Sequence, residues 1–181
     1  RMAASRFAFF RGTAELMEQD LKQQFQSGIS IIINGDAHLG NYGFYASPER
    51  KLLFDLNDFD EARIGNWESD LKRLLVSTYL VGLQNEFDIN RMRTLLGSMC
   101  KVYRRGVKHA ETFTLLQRFY FSYEIHDMIQ TLNSLEDNDR AEMSRIVDRI
   151  LKKSHKNNSE TVIKKFTTLN SRGHLIFREN P

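Results

Sequence analysis

An apolar, β-branched run at residues 29–33 drives into a polar, glycine-containing loop, and this junction constrains the chain more than any other feature. Such a run is short enough to predict a buried strand. It ends at Gly35, where Asn34-Gly-Asp-Ala-His-Leu-Gly-Asn41 begins. Loops at strand ends are frequent places for chemistry. Residues 42–45 and 52–56 then predict the two arms of a hairpin, with Ala46-Ser-Pro-Glu-Arg-Lys51 as its turn. A hairpin brings its ends together, so Asn41 returns close to the acidic cluster of Asp55, Asp58 and Asp60. One or two carboxylates with an amide oxygen form a donor set suited to Mg²⁺.

The spacing has a chemical logic. In protein kinases a catalytic-loop Asp orients or deprotonates the attacking hydroxyl, an Asn five positions on holds Mg²⁺, and a later Asp holds Mg²⁺ too. Asp36 and Asn41 have that offset. Asp36-Ala-His-Leu-Gly-Asn41 resembles the Asp-x-His-x-x-Asn loop of the aminoglycoside phosphotransferase and choline kinase group. Asp58-Phe-Asp-Glu-Ala-Arg-Ile-Gly-Asn-Trp-Glu-Ser-Asp-Leu71 is similar to that group's metal-binding segment, including the Asp-Leu that opens the next helix. The chain resembles the bacterial family of unknown function DUF2252 more closely. The matching stretches are Arg1-Met-Ala-Ala-Ser, Phe7-Ala-Phe-Phe-Arg-Gly12, Gly35-Asp-Ala-His-Leu-Gly-Asn41, Phe54-Asp-Leu-Asn-Asp-Phe-Asp-Glu61 and Asp70-Leu-Lys-Arg-Leu74. Three positions depart from these patterns. Asn34 stands where the kinase group has His, Arg6 where DUF2252 usually has Pro, and Ser69 where it often has Trp.

These resemblances imply a role for each residue. Asp36 is the catalytic residue, while Asn41 and Asp58 hold Mg²⁺ on the phosphates of ATP. Asp55 remains an alternative ligand by its spacing from Asn41, and Asp60 a second-metal ligand. His38 is expected to hydrogen-bond the loop and hold its shape. Asp70 is expected to accept backbone hydrogen bonds of that loop from its helix start. Arg11 either binds an anion beside a helix start or pairs with a loop carboxylate. The partners implied are a nucleotide and a small-molecule acceptor. The implied fold is α+β and mainly helical: a kinase-like C-terminal lobe over 1–181, with a small hairpin and four to five helices. The upstream stretch lacks a Gly-rich loop and a Val-Ala-x-Lys strand. The resemblance implies that the nucleotide lobe lies downstream, so the chain reads as an inactive fragment of a longer, circularly permuted protein.

Two other functions compete. A kinase-like binding or regulatory module would need no intact catalytic set. A metal-dependent phosphoesterase would use Asp36 and His38 as ligands, but needs further His and Asp ligands on other loops. An EF-hand starting at Asp55 is excluded, because Asp60 falls on its glycine position.

Composition narrows the rest. One cysteine, Cys100, leaves no internal disulfide and fits a reducing, cytoplasmic compartment. No apolar run is long enough to span a membrane. A net charge of +3 suits a phosphate-bearing ligand and is too small to argue for nucleic acid.

Along the chain, Thr13 is expected to cap a helix whose face carries Leu16, Met17, Leu21 and Phe25, ended by Ser27-Gly28. A helix follows Gly65. Asp88 caps a second long one, with Ile89, Met92, Leu96, Met99 and Tyr103 inward. Residues 111–135 read as one helical stretch whose aromatic side chains belong to the core. Further helices are expected at 140–153 and 161–166, and a terminal strand or hairpin at 174–177.

Overall fold

The computed structural model describes residues 5–133, 144–145, 147–148, 152 and 166–177. It is α+β, with helices and three small two-stranded antiparallel sheets among the described residues. Two compact units divide the chain, Arg1–Glu124 and Ile125–Pro181.

The first unit opens with α1 (Arg6–Arg11), a short helix. Ser5 caps it, its hydroxyl accepting from the Ala8 N–H at 3.0 Å. Thr13 precedes α2 (Ala14–Leu21) but does not cap it through its side chain. Its hydroxyl instead donates to the carbonyls of Phe9 and Phe10, closing α1. Helix α2 is shorter than expected, and Phe25 lies beyond its end, fully in solvent.

Strand β1 (Ser30–Ile33) pairs with β4 (Arg63–Asn66), with Ile32 opposite Ile64. The expected buried strand is buried only at Ile33; Ile31 and Ile32 are exposed. The reason is the sheet's width. With two strands and one covered face, alternation turns Ile32 outward, while Ile31, on the same side as Ile33, is still 46% exposed. The hairpin of β2 (Tyr42–Ala46) and β3 (Leu52–Leu56) forms as expected, with Gly43 opposite Asp55.

Helix α3 (Trp67–Gln84) follows β4 directly and packs against α1, β1 and α4 (Ile89–Glu111). Asp88 caps α4 by accepting from the Asn90 and Arg91 N–H groups. Met92 is fully buried and Leu96 and Met99 are half-buried, but Ile89 and Tyr103, expected inward with them, are exposed, because they lie at the ends of the stretch that α3 covers. The Met92 thioether lies where a Gly82 side chain would stand.

The expected helix over 111–135 is not continuous. Helix α5 (Leu115–Tyr120), with a Thr114–Gln117 capping box, is separated from α6 (Ile125–Asn133) by extended residues. There Tyr123 accepts a hydrogen bond from the Phe54 N–H at 2.9 Å, and Glu124 bridges to Leu53. Phe119, Tyr120 and Phe121 are exposed rather than core, because a six-residue helix has no buried face here.

The second unit contains α6 and a hairpin of β5 (Thr167–Leu169) and β6 (Leu175–Phe177). The hairpin extends the expected terminal strand by a partner. Most of the expected helices at 140–153 and 161–166 lies outside the described residues. No described helix is long and apolar enough to cross a membrane.

Replacing Met92 with Ala removes a fully buried side chain beneath α3. The loss is expected to be about 2–5 kcal/mol, read as a lower urea midpoint in equilibrium unfolding.

Candidate functional site

The site is built on one face of α3. Asp70, Arg73 and Ser77 are spaced by three and four residues, so they lie along one stripe of the helix. Each grips the loop after β1. The Asp70 carboxylate accepts from the Asn34 N–H at 2.7 Å and the Gly35 N–H at 2.9 Å. These are the backbone bonds expected of Asp70. Ser77, fully buried, accepts from the Leu39 N–H at 2.9 Å and donates to the Leu74 carbonyl at 2.7 Å. Between them the Arg73 guanidinium bonds the Asp36 carboxylate.

Arg73 is the main residue that sequence reasoning missed. It is 2% exposed. Beyond Asp36 it donates to the carbonyls of Phe10 at 2.9 Å and Arg11 at 3.3 Å, and lies over the Phe10 ring at 4.3 Å. A guanidinium can satisfy all these partners because its donors fan out in a plane. The signal was present in Asp70-Leu-Lys-Arg73, where the helical period puts Arg73 beside Asp70. Of the two roles expected of Arg11, anion binding or pairing with a loop carboxylate, the second is not taken up. Its side chain forms no ion pair among the described residues, and its backbone carbonyl instead helps hold Arg73.

Gly35 has φ +81°, and its missing side chain faces the Glu61 carbonyl and the Arg63 guanidinium. The turn there admits no side chain without strain. It delivers Asp36 half-exposed at the loop's edge, with one carboxylate oxygen on Arg73 and the other 3.7 Å from His38 Nε2.

His38 is wholly buried, its ring edge against Phe7 at 5.8 Å. Neither ring nitrogen has a hydrogen-bond partner among the described residues. The loop-holding hydrogen bond expected of this side chain is absent. The backbone does that work: His38 N–H donates to the Asp36 carbonyl and the His38 carbonyl accepts from Asn41. Burial lowers the His38 pKa below its ordinary 6.5, opposed by the Asp36 charge and reinforced by Arg73 and Arg11.

Asn41 is 5% exposed. Its amide nitrogen donates to the Asp36 carbonyl at 2.8 Å, which turns its amide oxygen away from that bond. Two bonds then tie the loop to the acidic segment. Asn57 N–H donates to the Asn41 carbonyl at 2.9 Å, and the Asn34 amide donates to the Asp58 carbonyl at 2.5 Å. Asn34, read from sequence as a departure, is thus a strut: its amide oxygen also accepts from the Asp36 N–H at 3.1 Å. Asp36, Asn41 and Asp58 therefore belong to one bonded neighbourhood.

The remaining acids of the segment are in solvent. Asp55 is exposed on β3 and accepts from the N–H of the next residue, Leu56. Asp60 is exposed and donates its N–H to the Asp58 carboxylate at 3.3 Å. Among the described residues no group of three or more His, Cys, Asp or Glu side chains could hold a metal ion. The Asn41 amide oxygen and the Asp58 carboxylate are oxygen donors of the kind that Mg²⁺ takes, with waters and substrate phosphates completing its shell.

One family model matches residues 1–181, that of an "uncharacterized protein conserved in bacteria (DUF2252)". No curated protein and no solved structure matches the chain.

Two outcomes are expected. Arg73→Met strands the half-exposed Asp36 carboxylate and three backbone and ring contacts, so unfolding free energy should fall by about 3–5 kcal/mol. Arg73→Lys should recover only part of it, as urea titration of both variants will read. The second concerns pH. A neutral, buried His38 refuses a proton that the unfolded chain accepts. Its contribution is complete above the unfolded pKa of 6.5 and is lost as pH falls from there through the depressed native value. The drop in stability between about pH 7 and pH 5 should be smaller in His38→Gln than in the parent protein.

Proposed function

We propose that this chain, which belongs to the bacterial family DUF2252, carries the catalytic centre of a phosphotransferase. Asp36 orients the hydroxyl of a small acceptor, and Asn41 with Asp58 holds Mg²⁺ on the phosphates of ATP. The observation that carries this reading is the pair of hydrogen bonds joining the loop to the acidic segment, Asn57 to Asn41 and Asn34 to Asp58. They tie the loop that carries Asp36 and Asn41 to the segment that carries Asp58, which supports the reading.

The chain's own groups divide the work. Arg73 occupies one oxygen of Asp36 and fixes the carboxylate's direction, leaving the other oxygen to accept a hydrogen bond from the acceptor hydroxyl. That hydroxyl attacks the terminal phosphorus, its proton passes to Asp36 or solvent, and the bond to the departing diphosphate breaks. Mg²⁺, when bound, spreads the phosphate charge. The protein's part is positioning: Asp70 and Ser77 hold the loop rigid, so alignment costs little at the moment of reaction. The resemblance to aminoglycoside phosphotransferases and choline kinases supports the same reading through Asp36-Ala-His-Leu-Gly-Asn41.

Calorimetric titration of Mg²⁺-ATP into the full-length protein tests it. Binding is expected to need Mg²⁺ and to be lost in Asp58→Asn. Asp36→Asn is expected to keep nucleotide binding and lose at least a hundredfold in transfer rate. A folded full-length protein that takes up no Mg²⁺-ATP overturns the reading, and leaves a kinase-like binding module.

A further inference from the structure

Helix α4 presents a cationic face that no described residue pairs with. Arg93, Lys101, Arg104, Arg105 and Lys108 fall within roughly 120° of its circumference at 3.6 residues per turn. All five are exposed, and none forms an ion pair among the described residues. Glu111, in the last turn, is the only acid on the helix. The stripe lies nearly opposite the side that Met92, Leu96 and Met99 turn inward. The small net charge of the chain conceals it, because acids gather elsewhere, notably at Asp55, Asp58, Asp60 and Glu61.

A second observation lies in the middle of that stripe. Gly97 is central in a 23-residue helix, where glycine is destabilising relative to alanine. Nothing in the fold accounts for it: a side chain there would meet open space, with no atom within 4 Å. A bare patch flanked by cations allows a partner's backbone to approach the helix closely.

From this face we infer that α4 is a docking surface for a nucleic-acid backbone, with Lys101, Arg104, Arg105 and Lys108 taking phosphates. Two other acidic partners compete for such a face. A protein interface needs an apolar core depleted of charge, whereas this arc carries cations, Asn90, Thr94 and Gly97, with the exposed Leu95 and Val102 on one flank and the exposed Val107 on the other. A membrane surface would need the helix's apolar face free to insert; Met92 closes that face at the helix's start, while Val102, Tyr103 and Val107 farther along are exposed, which makes an anionic vesicle the competing partner in the test. What favours the nucleic acid is a long row of charged and small polar side chains facing a dense, regular line of negative charge. The contact is backbone-directed and reads no sequence. It is independent of the chemistry proposed for the loop around Asp36.

Fluorescence anisotropy of the full-length protein with a labelled mixed-sequence duplex tests this. Binding is expected at low salt, with log affinity falling against log salt at a slope of roughly −3 to −4 for four phosphate contacts. The combined change Lys101→Glu, Arg104→Glu, Arg105→Glu and Lys108→Glu should weaken binding more than tenfold and flatten that slope. A milder pair, Lys101→Ala with Arg104→Ala, should weaken it and lower the slope by about 2, with the circular-dichroism melt of the parent retained. Gly97→Ala should raise the melting temperature while weakening the complex. Absence of binding at low salt, or binding that both charge variants leave unchanged, overturns the inference. So does tighter binding to polyglutamate or phosphatidylserine vesicles than to the duplex.

Discussion

The buried contact between Arg73 and Asp36 is the constraint on which the rest of the first unit depends. A guanidinium inside a protein must find an anion and fill its remaining donors, or its desolvation goes uncompensated. Arg73 meets that demand from three directions: the loop carboxylate, the carbonyls closing α1, and the face of Phe10. One side chain therefore sets the position of α1, the loop and α3 together. Helix α1 is only six residues long and would be marginal alone. Its place is decided by what Arg73 requires of its last carbonyls.

Around that contact the same helix face repeats the device with different chemistry. Asp70 accepts from the start of the loop, Ser77 from its end, and Arg73 takes the side chain between. A loop pinned at three points by one rigid helix loses its freedom when the chain folds. His38 shows the other side of this economy. It is sealed under Phe7 with both nitrogens unpartnered among the described residues and is kept neutral by burial. Any charge arriving on it would meet Asp36 on one side and Arg73 and Arg11 nearby.

Charge is also segregated along the chain. The acids of residues 55–61 sit on and after β3, while the cations of α4 line a helix on its solvent side. A net charge near zero can thus coexist with two strongly charged surfaces, each suited to a different counter-ion.

The sequence by itself determined the local elements whose causes are local. The hairpin followed from turn residues between apolar arms, and α4 from its Asp88 cap and its apolar period. The backbone bonds of Asp70 followed from its place at a helix start. Tertiary structure decided what depends on partners distant in sequence. The pairing of β1 with β4 left Ile31 and Ile32 exposed, although their composition reads as buried. Arg73, rather than Arg11, reached Asp36, since which cation lies within bonding distance depends on helix packing. Asn34 became a strut only because Asp58 folds back over it. The aromatic residues 119–121 stayed in solvent because α5 ends before it can bury a face. Hydrophobicity gives a residue a preference for burial, but only the packed arrangement supplies a surface to bury it against.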